Sequence, residues 1–231
     1  METDLSKLET ILATSFSDKT LLSIAVTHRS FLNENRNVGH DHNERLEFLG
    51  DAVLELVVTD FLFRHYPQKA EGELTAIRAA LVNTNMLSET ASRLGINDFM
   101  RLSRGEAKDT GRARQYILAN AFEAVVGALY LDQGYECART FIARELLPRT
   151  EEIVEKRLWQ DPKSRFQEKA QEVYGATPTY KSIKEEGPDH DRTFTIGVFI
   201  RDEQIAQGIG RSKQEGEQAA ALKGLDAKGW S

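Results

Sequence analysis

The sequence predicts two domains, an all-α domain followed by a small α+β domain with the element order αβββα. Before Asp161, apolar residues recur at helical spacing, and neither a βαβ pattern nor an internal repeat interrupts them. After Asp161, three runs of strand-like composition stand between two amphipathic helices. These two patterns predict domains over 1–156 and 161–231, joined by a linker over 157–160.

In the first domain, helices are predicted from periodicity and from stop signals such as Pro67 and Gly95. The predicted helices cover residues 5–15, 18–28, 43–65, 71–83, 84–94, 116–131 and 145–159. Polar and glycine-rich sequence predicts loops over 33–43 and 103–114.

In the second domain, the strands are predicted from β-branched and aromatic residues, of which the run from Thr193 to Ile200 is the clearest example. The predicted elements are a helix over 163–174, strands over 179–185, 191–201 and 203–210, and a helix over 212–228.

The composition indicates a globular protein of a reducing compartment. Of 231 residues, 40% are hydrophobic and 29% are charged, and Cys137 is the single cysteine, so no intrachain disulfide can form. The N-terminus lacks a secretory pattern, and no apolar run approaches the ~20 residues that cross a bilayer. We therefore expect a cytoplasmic protein with no membrane partner.

The net charge of −6 does not favour nucleic-acid binding, but the charge is unevenly distributed. From Lys156 onward, 13 Lys and Arg stand against 12 Asp and Glu, so the acidity belongs to the first domain. A nucleic-acid contact in the second domain would therefore need a local basic patch.

The predicted helix over 43–65 carries an apolar stripe and, on another side, a cluster of acids. The stripe contains Leu46, Leu49, Val53, Leu56 and Val57, and the acidic cluster contains Glu44, Glu47, Asp51 and Glu55. Like charges three and four residues apart repel by a few tenths of a kcal/mol per pair. A cation bound between the carboxylates would remove this repulsion, whereas an ordinary solvated acidic face would tolerate it.

The helix over 116–131 is apolar except at Asn120 and Glu123, which are three residues apart and share one face. A carboxylate in a buried helix requires a partner, because desolvating an unpaired charge is costly. A metal ion shared with Glu47 and Asp51 would be one such partner, and a buried Arg or Lys would be the other.

Other residues allow a functional and a structural interpretation. Phe48 projects beside the acids, which suggests a partner surface or a loop packed over the ring. His40, Asp41 and His42 could bind a metal ion or simply belong to an exposed loop. The basic residues of the loop over 103–114 could contact phosphate or could be solvated charges.

The run Asn43–Val53 closely resembles the signature of the bacterial ribonuclease III family, and the pentapeptide Thr27–Phe31 resembles the same family. The resemblance implies an all-α endonuclease domain that acts as a homodimer. It also implies cleavage of double-stranded RNA to 5′-phosphate and 3′-hydroxyl ends with short 3′ overhangs. Processing of precursor rRNA, mRNA and structured RNA is the expected role.

The same resemblance assigns roles to individual residues. It implies that Glu47, Asp51, Asn120 and Glu123 are metal ligands, that Asp51 and Glu123 are catalytic, and that Glu44 is an additional acid of the cleft. It implies that Phe48 enters a socket on the partner subunit. Oxygen ligands without a Cys or His cluster favour Mg²⁺, with Mn²⁺ as a substitute. Asn120 departs from the family's usual Asp, and so removes one negative charge from the site.

The second domain resembles a double-stranded RNA-binding domain, which reads the shallow minor groove and the flanking phosphates of A-form RNA. The residues that match its RNA-binding positions are Gln167, Glu168, Pro188, Asp189, His190, Arg211, Ser212 and Lys213. Gln214 stands where that pattern usually continues basic, which should weaken phosphate binding. Gly216 stands where it usually has Ala, which should loosen the helix by up to ~1 kcal/mol.

Two other functions compete with this interpretation. The first is a double-stranded RNA-binding protein whose nuclease fold has lost activity. The Asn at position 120 is consistent with this alternative, whereas the retained acids argue against it. The second is a histidine–aspartate phosphohydrolase that uses His40, Asp41 and His42. Cleavage of a long RNA duplex with and without Mg²⁺ distinguishes these alternatives.

Overall fold

A computed structural model of the chain describes residues 5–35, 38–188 and 192–230. The chain divides into two compact units between Glu155 and Lys156. The first unit is helical and the second contains a three-stranded antiparallel sheet with helices, which confirms the predicted fold class. The linker predicted over 157–160 stays a prediction.

The α-helices of the first unit are α1 Leu5–Leu12, α2 Lys19–Ala25, α3 Arg29–Glu34, α4 Glu44–His65, α5 Glu71–Leu81, α6 Thr84–Arg93, α7 Arg112–Gln133, α8 Tyr135–Glu145 and α9 Thr150–Glu155. Short 3₁₀ turns cover Ile96–Phe99, Glu106–Lys108 and Leu147–Arg149. Within the described part of the chain, no helix is both long enough and apolar enough to cross a membrane.

The N-terminal helices are shorter than predicted. Helix α1 ends at Leu12 because Ala13 takes a left-handed conformation with φ 52°. The single helix predicted over 18–28 is wrong: α2 ends at Ala25, and His28 is the N-cap of a separate α3. Thr27 forms an isolated bridge with Arg101 instead of continuing the helix.

The helix predicted over 145–159 is also wrong. Helix α8 begins at Tyr135 and ends at Glu145, after which a 3₁₀ turn containing Pro148 leads into the short α9. The boundary between α7 and α8 lies at Gly134, whose φ of 80° is unfavourable for residues with a Cβ. Pro148 has no amide hydrogen to donate, so it favours the break before α9.

Helices α4 and α7 form the centre of the first unit. The α7 segment from Ile117 to Leu129 is almost wholly buried, and α4 buries a stripe of its own against the core. The apolar residues buried on α4 are Leu46, Val53, Leu54, Val57, Val58 and Leu62. The prediction that Leu56 belongs to this stripe is wrong, since 57% of Leu56 is exposed on the outer side of the helix.

In the second unit, α10 (Pro162–Tyr174) and α11 (Lys213–Lys228) accompany the strands β1 (Thr179–Glu186), β2 (Thr193–Ile200) and β3 (Glu203–Gly210). The strand order is β1-β2-β3, and both pairings are antiparallel. The core contains Phe166, Ala170, Val198, Ile200, Ala220, Ala221 and Leu225.

Gly216 has a packing role that the sequence analysis missed. A Cβ at this position would lie 2.5 Å from Cγ1 of Ile196, because α11 crosses β2 at close range. The glycine therefore lowers helix propensity but permits this approach, so replacing it by Ala would crowd the core rather than tighten the helix.

Candidate active site

The crossing of α4 and α7 brings the predicted acidic residues together. A Cβ built on Gly50 would lie 1.8 Å from the carbonyl oxygen of Glu123, and one on Gly127 would lie 2.2 Å from that of Leu46. The two helix backbones are therefore in direct contact, which only glycine permits at these positions. Glu47 and Asp51 flank Gly50 on α4, and Asn120 and Glu123 precede Gly127 on α7.

The first turn of α4 is held by the buried Asn43. Its backbone amide donates to the carbonyl of Thr27 at 3.0 Å, and its Nδ2 donates to the carbonyl of Ala25 at 3.3 Å. Because Asn43 directly precedes α4, these bonds fix the position from which Glu44 and Glu47 project.

Glu123 experiences the strongest electrostatic perturbation in the cleft. Burial, followed by the charges of Asp51 and Glu47, raises the pKa of Glu123 to about 8. Burial and the neighbouring Glu44 also raise the pKa of Glu47, and the Asn120 amide beside it partly opposes this shift. Mutual effects of this kind show that the carboxylates of both helices share one cleft.

No protein cation balances these charges within the part of the chain that the structure describes. Glu47, Asp51 and Glu123 each lack a Lys, Arg or His partner within 4 Å there. The buried Arg or Lys considered as an alternative partner of Glu123 is thus not found among the described residues. Nor do those residues contain a group of three Asp, Glu, His or Cys side chains already arranged to hold a metal ion.

Glu44 differs from the other acids of the cleft. Its carboxylate lies 3.4 Å from Nη1 of Arg29 and 3.9 Å from Nδ1 of His42. Part of its charge is therefore balanced at the edge of the cleft, where 46% of the side chain is exposed.

The histidines of the first unit make local contacts. His28 Nδ1 accepts from the Ser30 amide at 3.3 Å as the cap of α3, and His40 Nε2 lies 2.9 Å from Ser23 Oγ and 3.2 Å from Arg101 Nη1. Among the described residues no histidine joins Asp41 in a metal-binding group. The interpretation of His40, Asp41 and His42 as loop residues is the one that the geometry favours.

Phe48 lies on the outer side of α4, where 82% of it is exposed. Leu56 and Phe63, which are 57% and 71% exposed, follow at positions that share its helical face. This outer apolar stripe, defined by Phe48, Leu56 and Phe63, is separate from the buried stripe of the same helix. Exposed apolar surfaces of this kind are typical of protein–protein interaction sites.

In the second unit, the described RNA-binding candidates are all exposed. Gln167 and Glu168 lie on α10, Pro188 lies in the β1–β2 connection, and Arg211, Ser212 and Lys213 lie at the start of α11. Ser212 caps α11, since its Oγ accepts from the Glu215 amide at 3.1 Å. Asp189 and His190 lie outside the described residues.

Three features of these sites were not predicted from the sequence. They are the Gly50–Gly127 crossing, the pairing of Arg29 with Glu44, and the contact of Lys213 Nζ with Glu185 at 3.1 Å. The glycine crossing could have been predicted from the sequence, because an isolated glycine inside a helical pattern often marks close packing. The two ion pairs join residues far apart in the sequence and carried no signal.

Comparison with known proteins identifies both units. The family described as Ribonuclease-III-like matches residues 18–150, and the double-stranded RNA binding motif matches residues 162–227. Over 222 residues the chain is 46% identical to a protein named Ribonuclease 3 from Bdellovibrio bacteriovorus, covering 96% of this chain and 94% of the relative. A Ribonuclease 3 from Pelotomaculum thermopropionicum is 46% identical over 221 residues, covering 96% and 92% of the two chains.

A solved structure supports the same assignment for the first unit. The nuclease domain of a ribonuclease III from Campylobacter jejuni matches with a TM-score of 0.56 and 43% identity, covering 61% of this chain and 94% of that one. The description of that structure concerns flexibility in a region involved in dimer formation.

Proposed function

The chain belongs to the ribonuclease III family, an enzyme family that cuts double-stranded RNA, and we propose that it does so by hydrolysis dependent on a divalent cation held between α4 and α7. The observation that carries this proposal is Glu123, a partly buried carboxylate that shares its cleft with other acids and has no cation beside it among the residues that the structure describes. Such a carboxylate is costly unless a proton or a metal ion neutralises it.

The donor set fits a hard cation. Glu47, Asp51 and Glu123 would supply carboxylate oxygens, and Asn120, whose side-chain NH2 donates to Glu47, would supply its amide oxygen. Oxygen donors without Cys or His favour Mg²⁺, with Mn²⁺ as a substitute. Because the side chains are not already grouped as ligands, we expect them to rotate inward when the cation binds.

The residues of the cleft would have different roles in hydrolysis. When bound, the divalent cation supplies Lewis-acid activation of a water nucleophile and neutralises charge at the phosphate. Glu123, the more buried acid, would anchor the cation, and the exposed Asp51 would orient the attacking water. Glu44 stands at the rim as an additional acid.

The expected products carry 5′-phosphate and 3′-hydroxyl ends. Formation of a cyclic phosphate would require a base at the RNA 2′-hydroxyl, a role that histidine pairs commonly perform. The described His28 and His40 are engaged with Ser30 and with Ser23 and Arg101, and His42 lies beside the carboxylates of Asp41 and Glu44. We therefore favour water as the nucleophile.

Incubation with a long RNA duplex tests this function. We expect cleavage with Mg²⁺ and none with a chelator, and product ends that a ligase requiring a 5′-phosphate accepts. A single-stranded RNA of the same sequence is the matched control. Duplex binding without cleavage would favour the non-catalytic RNA-binding protein, and cyclic-phosphate ends would contradict the mechanism.

Replacing Asn120 by Asp should lower the Mg²⁺ concentration at half-maximal cleavage by about two- to tenfold, because the cleft gains a charge that attracts the cation. Crowding of carboxylates opposes this, but the divalent cation outweighs it at contact distance. Single-turnover rates across an Mg²⁺ titration measure the effect. The control is Asn85→Asp, the same charge change on exposed α6. Equal midpoints for Asn120→Asp and the unmodified chain would place Asn120 outside the coordination sphere.

We further propose that the second unit anchors the RNA duplex. Polar Gln167 and the Pro188 connection suit the hydroxyl-lined minor groove, and Arg211 and Lys213 suit phosphates. The capped start of α11 adds backbone amides and the positive end of the helix dipole. These contacts would offset the net acidity of the first unit.

A chain truncated after Gln160 should cut RNA at low salt and lose activity steeply as salt rises. Removal of Arg211 and Lys213 leaves an acidic nuclease unit with fewer phosphate contacts, and counterion release makes the remaining binding salt-sensitive. Cleavage rates from low to physiological salt, with the full chain as reference and circular dichroism to confirm folding, measure this. Equal activity of both proteins at physiological salt would rule out the anchoring role.

We also propose a homodimer built on the outer apolar stripe of α4. Leu56 lies midway between Phe48 and Phe63, so a two-fold axis near Leu56 would place each Phe48 against the other copy's Phe63. Phe63, with Leu62, Leu74 and neighbouring side chains, lines a groove of about 450 Å³ between α4 and α5. This groove is a suitable socket for the partner's phenyl ring.

Replacing Phe48 by Ala should raise the dimer dissociation constant by about 10²-fold or more. Each buried phenyl ring contributes about 1.5–3 kcal/mol, and two-fold symmetry removes two of them. Sedimentation velocity over a concentration series measures the constant. Ile11→Ala, which truncates an exposed apolar residue on α1, is the control. If Phe48→Ala dimerises as tightly as the unmodified chain, the outer apolar stripe is not part of the dimer interface.

The biological role that we propose is processing of precursor rRNA, mRNA and structured RNA in the bacterial cytoplasm. It is supported by the similarity of the whole chain to proteins named Ribonuclease 3.

A further inference from the structure

The phosphate-binding start of α11 is occupied by carboxylates of its own domain. Lys213 Nζ lies 3.1 Å from Glu185 Oε1, and the Arg211 amide donates to Glu215 Oε2 at 2.9 Å. A carboxylate oxygen takes the place that a phosphate oxygen would take at each donor. Two of the contacts assigned to RNA are therefore already satisfied within the protein.

The two carboxylates differ in what else they do. Glu215 belongs to the first turn of α11, where its amide donates to Ser212 Oγ and its carboxylate returns to the Arg211 amide, so it caps the helix. Glu185 lies on β1, two residues before Gly187, and its contact with α11 among the described residues is the one to Lys213. Of the two, Glu185 is the residue whose contact with α11 serves no capping function.

The Glu185 carboxylate is held towards Lys213 by further contacts. Ser182 Oγ donates to Glu185 Oε1 at 3.3 Å, and Arg192 Nη1 lies 3.9 Å from Oε2. Lys213 lowers the pKa of Glu185, so the carboxylate stays charged at neutral pH. Lys213 is 61% exposed and Glu185 37% exposed, which leaves the pair open to a polyanion.

We propose that Glu185 competes with RNA phosphate for Lys213 and thereby lowers the affinity of the second unit for duplex RNA. This inference rests on the proposed anchoring role of that unit. Binding of a phosphate must first separate Lys213 from Glu185. The freed carboxylate then remains beside the polyanion and repels it. Because Arg192, at 3.9 Å, balances its charge only in part, the carboxylate also takes up a cation from solution. Both effects weaken binding, and both disappear when Glu185 loses its charge.

The test is a set of binding titrations on the full chain with a fluorescent RNA duplex of about 20 base pairs, longer than the ~16 that one such domain spans. Chelator is present to prevent cleavage. Glu185→Gln should bind about two- to fivefold more tightly, the range that corresponds to breaking one exposed ion pair. Its plot of log affinity against log salt should be steeper, because the cation uptake at Glu185 is lost.

Glu186→Gln is the matched control. It removes the same charge from the next residue of β1, but Glu186 pairs with Lys184 at 2.7 Å instead of with Lys213. Lys213→Gln supplies the second arm. In the Lys213→Gln protein, adding Glu185→Gln should change RNA affinity no more than adding Glu186→Gln does. The reason is that Lys213, the cation for which Glu185 and the phosphate compete, is absent from both double variants.

The outcomes separate this inference from the function on which it rests. If Lys213→Gln does not weaken binding, the anchoring role at α11 fails and the inference fails with it. If Lys213→Gln weakens binding but Glu185→Gln matches Glu186→Gln, the anchor stands and the competition by Glu185 is overturned. The proposal is supported if Glu185→Gln binds RNA more tightly, Glu186→Gln does not, and the gain disappears in the Lys213→Gln background.

Discussion

Replacing Glu123 by Gln should reduce cleavage of duplex RNA by about 10³-fold or more while leaving duplex binding within about twofold. The amide keeps the shape of the side chain but removes the charge that, in our proposal, anchors the cation at the α4–α7 crossing. RNA binding should be preserved because Arg211 and Lys213, which we propose as phosphate contacts, belong to the other unit. Single-turnover cleavage at saturating Mg²⁺ and anisotropy with chelator measure the two quantities.

Two controls show that the loss in Glu123→Gln is chemical. Glu55→Gln changes another carboxylate on α4, which faces Arg78 at 3.9 Å instead of the cleft, and should retain activity.

In chelator, the raised pKa of Glu123 predicts that Glu123→Gln is more stable than the unmodified protein. A carboxyl group with a folded pKa of about 8, above its ordinary value of 4.5, destabilises the fold progressively as pH rises between those values.

At pH 8.5 without metal, Glu123→Gln should therefore be more stable than the unmodified protein by about 1–3 kcal/mol, after allowance for solvent screening. The difference should vanish well below pH 4.5, where Glu123 is protonated in both the folded and the unfolded chain. Urea unfolding at the two pH values measures it. Cleavage by Glu123→Gln at the unmodified rate would remove Glu123 from the active site.

Replacing Gly50 by Ala should lower the free energy of unfolding by about 3 kcal/mol or more and abolish cleavage. The added methyl group would lie 1.8 Å from the Glu123 carbonyl oxygen, a backbone atom that cannot move unless the helices separate. Separation would displace Glu47 and Asp51 from Asn120 and Glu123, so stability and activity should fall together.

Gly72→Ala is the control for the Gly50 substitution. Gly72 lies inside α5, and a Cβ there would meet no atom within 4 Å. The change should raise stability by up to ~1 kcal/mol, because Ala has the higher helix propensity and restricts the unfolded chain. Similar stabilities for Gly50→Ala and Gly72→Ala would mean that the two helices do not cross at this distance.

The sequence predicts the secondary structure best where periodicity is long and uninterrupted. The long helix over 43–65 and the second-unit helix over 163–174 are found within a residue of the predicted bounds. Prediction fails over 145–159 because a short helix, a proline turn and a helix end share one amphipathic pattern. It also fails near Thr27, where a bridge to the distant Arg101 interrupts the helix.

The candidate site shows the same division between local and tertiary information. Spacing alone placed Asn120 and Glu123 on one face, because i and i+3 residues are neighbours on any helix. The depth at which Glu123 lies, and the absence of a described cation beside it, depend on how α4 crosses α7. Likewise, no local pattern links Glu185 with Lys213, since a strand and a distant helix must meet first.

The most direct test of the central claim, that the α4–α7 carboxylates hold a divalent cation, is a titration with Mn²⁺ followed by electron paramagnetic resonance in the absence of RNA. We expect the unmodified chain to bind Mn²⁺ more tightly as pH rises towards about 8, because the cation must displace the proton of Glu123. Glu123→Gln should bind at least about tenfold more weakly, and Glu55→Gln should match the unmodified chain. Equal Mn²⁺ affinity in all three proteins would contradict the account.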